Sequence, residues 1–184
     1  MNQHRRAVLR RAALVVAANL IGFALCQGPF RSAEAWAARN LVDLSGGSGH
    51  TFAAGSSSIG VLPLNGAPFT AIVTPSCSAL ASVLALLCLS SVTTKLPRRR
   101  RLGATLAALG VIVVGNVVRI AGSVGVGVLA GRASLVLFHD WVGGLLTFTY
   151  TLGGYVLMLY ILLPDRRRRP TAAAPTEEPA PVAL

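Results

Sequence analysis

The chain has 184 residues, 53% of them hydrophobic and 12% charged, with a formal net charge of +11. A soluble domain carries about 25% charged residues, so the composition argues against a soluble fold, and the length is too short for two ordinary domains. The positive charge does not read as a nucleic-acid surface: thirteen of the seventeen Lys and Arg residues lie in three clusters flanking apolar runs, where anionic lipid headgroups attract them.

The first cluster, Arg5, Arg6, Arg10 and Arg11, precedes an uncharged apolar run from Ala12 to about Phe30. A basic start, an apolar run and Ala33-Glu34-Ala35 also match a secretory leader with a cleavage site, but the run is long for a leader. Residues 31–74 form the one sizeable non-membrane segment; it is nearly neutral and suits the outer side. Within it, Ser45 to Ser58 is rich in Gly and Ser and reads as flexible loop. Ser58 to Leu64 and Ala67 to Val73 flank Asn65-Gly66, a hairpin signal. Pro63 and Pro68 confine that hairpin to something short and irregular.

A second, short apolar run spans about Pro75 to Val92 and ends at the cluster Lys95 with Arg98 to Arg101. The third run, Leu102 to about Ala130, is interrupted by Asn116 and Arg119; the fourth runs from Trp141 to Leu163. Arg166 to Arg169 follow, and the Pro/Ala-rich tail reads as disordered and cytoplasmic. A span needs about 20 apolar residues, and excess Lys and Arg marks the cytoplasmic side. The expected fold is therefore an all-α polytopic membrane bundle of about four transmembrane helices. Its parts would be a basic cytoplasmic N-terminus at 1–11, a bundle at 12–163 with the external segment 31–74, and a cytoplasmic tail at 164–184.

This topology brings three distant residues to one depth. Cys77 stands at the outer mouth of the second span. Arg119 lies sixteen residues past Gly103, about 24 Å along a helix against a hydrocarbon core of about 30 Å. His139 precedes Trp141 at the outer start of the fourth span. Cysteines in membranes usually only pack, which is the reading for Cys26 and Cys88; His4 and His50 carry no special signal. Cys77 differs in standing within the polar stretch Thr74-Pro75-Ser76-Cys77-Ser78. A bridge between Cys26 and Cys77 is open on the topology, whereas Cys88 lies about 16 Å deeper than Cys77 on a helix. An arginine inside a span costs a few kcal/mol and marks a functional site by default. Asn116, one turn before Arg119, argues for a polar patch facing the bundle over snorkelling to the headgroups.

The trio suits nucleophilic catalysis. Thiolate is the reactive form of cysteine, and a histidine can take the thiol proton and return it to a leaving amine. A fixed arginine can stabilise an oxyanion. Asp140 adjoins the histidine, although sequence neighbours need not face each other. Cysteine spacing offers no zinc or redox motif, so no metal or cofactor is expected.

Three blocks carry a resemblance: Thr74-Pro75-Ser76-Cys77-Ser78-Ala79, Asn116-Val117-Val118-Arg119 and His139-Asp140-Trp141-Val142-Gly143. In order and spacing they resemble the exosortase/archaeosortase family of multi-span membrane proteins, proposed cysteine transpeptidases. The resemblance covers roughly residues 57 to 160. It implies Cys77, Arg119 and His139 as catalytic residues; Asn116 and Ser78, the polar residues beside them, are expected to bind substrate. The implied partner is an exported, membrane-tethered protein whose C-terminal sorting signal is cut and replaced by an anchor. Ala79 departs from the family's usual glycine, and many members have more spans than four. The rival reading is a non-enzymatic membrane scaffold that binds a partner through the same polar patch.

Overall fold

The computed structural model describes residues 3–47, 49–92 and 97–163. Lys95, the basic cluster 166–169 and the tail expected to be disordered lie outside them. Helix α1 runs Gln3–Val42, past the expected end of the first apolar run and through Pro29. The reason lies in residues 31–42: Glu34, Ala35, Ala38 and Val42 recur at helical spacing and are all buried. The segment expected as the external non-membrane part thus begins inside a helix.

After α1 come strands β1 (Thr51–Gly55), β2 (Ser58–Val61) and β3 (Phe69–Ile72), an antiparallel sheet in the order β1-β2-β3. The expected hairpin is present: Ser58 pairs with Ile72 and Val61 with Phe69. Pro63 and Pro68 stay outside the strands, and Gly66 adopts φ 112° between them. Two expectations need correction. The Gly/Ser-rich stretch contains β1, whose Thr51 and Phe52 pair with Val61 and Gly60. The external part is accordingly a three-stranded sheet instead of a two-stranded hairpin, within a mostly helical fold. Composition misled here because Thr51-Phe52-Ala53-Ala54 has a partner strand only once the hairpin exists.

Helix α2 (Leu80–Val92) is short, and α3 (Arg98–Leu162) folds back on itself at Gly131. Gly131 has φ 79° and ψ −177°, a conformation that essentially only glycine adopts. The limbs 98–130 and 132–162 pack antiparallel, with Gly115 against the ring of Tyr150 and Gly154 against Ile112. Small residues let the limbs approach closely, as in membrane helix pairs. Arg100 ties the far ends together, donating from Nε to the Ile161 carbonyl (2.7 Å) and from Nη2 to that of Leu163 (2.8 Å).

Two helices, α1 and α3, are long and apolar enough to cross a membrane; α2 is apolar but shorter. Their outer surfaces carry exposed Leu14, Leu20, Leu25, Leu106, Leu145 and Phe148, an apolar belt that lipid can cover and water would oppose. Polar side chains on these helices bond their own backbone: Asn19 donates to the Val15 carbonyl, and Thr147 and Thr149 to those of Gly143 and Leu145. The interior has two apolar cores. One joins Ala38 and Val42 of α1, Ile59 and Val61 of β2, and Val124 and Val128 of α3. The other joins Leu86 of α2 to Ala108, Ile112 and Met158 of α3. Asn116 and Arg119 fall on the seam between them.

Candidate active site

Strand β3 delivers the chain to Thr74, and a tight turn at Pro75–Cys77 then swings Cys77 toward α3. Proline at the first position suits this turn, because its fixed φ matches and its missing N–H is not needed. The Cys77 N–H donates to the Thr74 carbonyl at 3.0 Å. The Ser78 hydroxyl accepts from the Leu80 N–H at 3.3 Å and starts α2.

Cys77 Sγ lies 3.1 Å from His139 Nε2 and 3.0 Å from Thr74 Oγ1. Arg119 Nη2 reaches the same His139 Nε2 at 3.1 Å, and its Nη1 donates to the Cys77 carbonyl at 3.2 Å. Arginine only donates, so Nε2 is the acceptor of that contact, and the ring proton is assigned to Nδ1. Nδ1 stands 3.1 Å from Asp140 Oδ1, the orientation that lets it donate there. The adjacent carboxylate therefore does face the histidine. Two donors, thiol and guanidinium, converge on one imidazole lone pair.

A buried layer supports this trio. Asn116 is 0% exposed, Glu34 3% and Arg119 6%. Asn116 Nδ2 donates to Glu34 Oε1 (2.7 Å) and to the Cys77 carbonyl (3.0 Å). Asn116 Oδ1 accepts from Tyr150 Oη (2.8 Å) and from Arg119 Nη1 (3.4 Å). Glu34 Oε1 also accepts from the Ala79 N–H at 3.0 Å. Glu34 thus grips the nucleophile's turn on one side directly and on the other through Asn116. Glu34 Oε1 and Arg119 Nη1 both bond Asn116, so the carboxyl group and the guanidinium belong to one buried hydrogen-bonded layer. Gly143 lets the guanidinium lie against its helix: a Cβ there would stand 2.9 Å from Arg119 Nε.

Cys77 and His139 open on a cavity of about 300 Å³ lined also by Ile72, Thr74, Val124 and Leu135, among others. The expected site residues Cys77, Arg119 and His139 come together in mutual contact, Cys77 and His139 on the cavity wall and Arg119 buried behind them. Of the residues expected to bind substrate, Asn116 is fully buried beneath Cys77 and Ser78 is half-buried, its hydroxyl accepting from the Leu80 N–H; neither lines the cavity. The three cysteines are free, so no bridge joins Cys26 to Cys77. Among the described residues, no group of three or more His, Cys, Asp or Glu is arranged to hold a metal ion.

Glu34 and Tyr150 belong to no motif in the sequence, and Thr74 and Gly143 stand in the resembling blocks without a role of their own. Glu34 had a legible signal: it is one of six acidic residues in the chain and lies on the periodic face of residues 34–42. Tyr150 sits in an apolar run, where nothing local distinguishes it from a packing residue.

The model of the transmembrane exosortase family matches residues 2–161, most of the chain and every element just described. The chain belongs to the transmembrane exosortase family. No curated protein and no solved structure matches it. Membership makes this a membrane helical protein with a transpeptidase-like role in general terms. The match takes in α1, and with it Glu34, together with both limbs of the α3 hairpin.

Proposed function

We propose that this exosortase-family chain is a membrane cysteine transpeptidase that cuts a C-terminal sorting signal from an exported, membrane-tethered protein. The observation that carries it is the 3.1 Å approach of Cys77 Sγ to His139 Nε2 on the wall of a cavity, with Arg119 on the same imidazole nitrogen. The thiol proton passes to Nε2, and Sγ attacks the scissile carbonyl. Once Nε2 is protonated it repels the Arg119 donor, which is then free to face the thiolate or the oxyanion of the tetrahedral intermediate. Collapse of that intermediate breaks the C–N bond, and Nε2–H protonates the leaving amine. An incoming amine or water then gives a proton to Nε2 and attacks the thioester, releasing product and the Cys77 thiolate, which is reprotonated by His139. Asp140 Oδ1 holds the imidazole in the required tautomer, and Thr74 Oγ1 orients the sulfur.

In the plasma membrane we place α1, α2 and the two limbs of α3 as four passes, with both termini inside and residues 31–74 outside. The Arg98–Arg101 cluster at one end of the bundle and the sheet packed at the other, against Val124 and Val128, support this arrangement. The site then faces the outer interface, where exported proteins reach it. The test is Cys77→Ala and Cys77→Ser, with Cys26→Ala and Cys88→Ala as controls. The readout is the size and membrane retention of a co-expressed exported protein ending in an apolar helix and a basic cluster. Both Cys77 variants are expected to leave it uncut and the controls to process it; full processing by Cys77→Ala would refute cysteine catalysis and favour the scaffold.

A further inference from the structure

Resting on that reaction, we infer that the substrate docks as an added strand on the open edge of β3, which feeds its scissile bond to Cys77. In the order β1-β2-β3, no strand among the described residues pairs with the outer edge of β3. The direction of its backbone groups follows from one bond. The Val73 N–H donates to the Ser57 carbonyl, so Val73, Ala71 and Phe69 turn their polar groups toward β2. By strand alternation, Thr70 and Ile72 turn theirs away, onto the open edge. Both residues are exposed, Ile72 at 63%. An open edge of this kind is a template for an extended peptide, with backbone bonds supplying affinity and pockets for alternate side chains supplying selectivity.

Continuity with the catalytic cavity identifies the occupant. Ile72, Val73, Thr74 and Cys77 all line the same 300 Å³ space, so the edge and the nucleophile form one surface. From Thr70 to Thr74 is about 13 Å at the strand rise per residue, the reach of about four substrate residues beside the scissile bond. The walls beyond Cys77 are Ile120, Val124, Leu135 and Val136, which suit apolar side chains at alternate substrate positions. The outer edge of β1 is also unpaired by a strand, but it lies on the far side of the sheet and no residue of β1 lines the cavity. The selected substrate is therefore an extended, unhelical stretch placed just outside a membrane anchor, with apolar side chains directed toward Val124 and Leu135.

The discriminating variant is Thr70→Pro, since proline fits an edge position whose N–H points away from the ladder. It removes one docking donor and crowds the edge while leaving Cys77 in place; Thr70→Val keeps the N–H. In a Cys26→Ala/Cys88→Ala background, Cys77 alkylation by N-ethylmaleimide should stay within twofold of the parent for both. Processing of the tethered reporter should fall more than tenfold in Thr70→Pro and stay near parental in Thr70→Val. Wild-type processing by Thr70→Pro, with Cys77→Ala inactive, would overturn edge docking and leave the reaction standing; processing by Cys77→Ala would instead overturn the reaction. A photo-crosslinking residue at position 70 of the Cys77→Ala protein should capture the same reporter, and one at Ala53 on β1 should not. This measurement needs no turnover, and absence of capture at position 70 would overturn the inference by itself.

Discussion

Gly143→Ala sets two effects of opposite sign against each other. Within a helix, alanine is favoured over glycine by about 1 kcal/mol, so the substitution should strengthen the second limb of α3. The new Cβ, however, would stand 2.9 Å from Arg119 Nε and 3.6 Å from Nη2. A comfortable contact begins at about 3.5 Å, so the guanidinium must retreat by about 0.6 Å. Its bonds to the Cys77 carbonyl, His139 Nε2 and Asn116 Oδ1 already measure 3.2, 3.1 and 3.4 Å. That retreat takes at least one of them beyond hydrogen-bonding range. Losing one charge-assisted bond costs about 1.5–3 kcal/mol, which at the transition state is roughly a ten- to hundredfold fall in rate. Gly144→Ala is the matched control, because a Cβ there meets nothing within 4 Å. Initial rates of reporter processing in isolated membranes, normalised to inserted protein and paired with thermal unfolding midpoints, give the comparison. Gly143→Ala should be at least tenfold slower than Gly144→Ala while remaining folded. Equal rates for the two would refute the idea that Gly143 exists to seat the guanidinium.

Glu34→Ala strands the Ala79 N–H in a buried place, a cost of about 1–3 kcal/mol, and should lower processing more than tenfold. Glu34→Gln keeps an acceptor oxygen and should recover most of that activity; an equal loss in both variants would show that charge, not hydrogen bonding, is what Glu34 supplies. Gly131→Ala forces a side chain into φ 79°, ψ −177° and should destabilise the hairpin of α3 by about 1–3 kcal/mol, read as a lower unfolding midpoint. Gly125→Ala, in open space on the same helix, should not lower it. Topology reporters fused at Gly55 and Arg99 should give opposite signals, and like signals would remove the four-pass arrangement.

What the sequence determined by itself was the class of environment and the short chemical blocks. Hydrophobic run length and the clustering of Arg and Lys are local quantities, and a bilayer reads them locally, so the apolar helices on either side of Arg98–Arg101 were legible without coordinates. The polar interruptions Asn116 and Arg119 announced themselves because an apolar span makes each polar residue costly. The Asn65-Gly66 hairpin was legible for a similar reason, its chemistry lying within a few residues. Tertiary structure alone decided the rest. Strand β1 exists because β2 offers it an edge, and no composition rule applied to a Gly/Ser-rich stretch sees that partner. Glu34 enters the site because α1 continues past Pro29 and turns one face onto Ala79 and Asn116, forty-five and eighty-two residues away. Asp140 turns its carboxylate onto the ring of its neighbour His139, a contact that adjacency in sequence does not guarantee. Asn116 and Ser78 turned out to hold backbone because a hydrogen-bonding side chain serves whichever group the packing brings nearest, and that group is chosen by the fold and not by the residue.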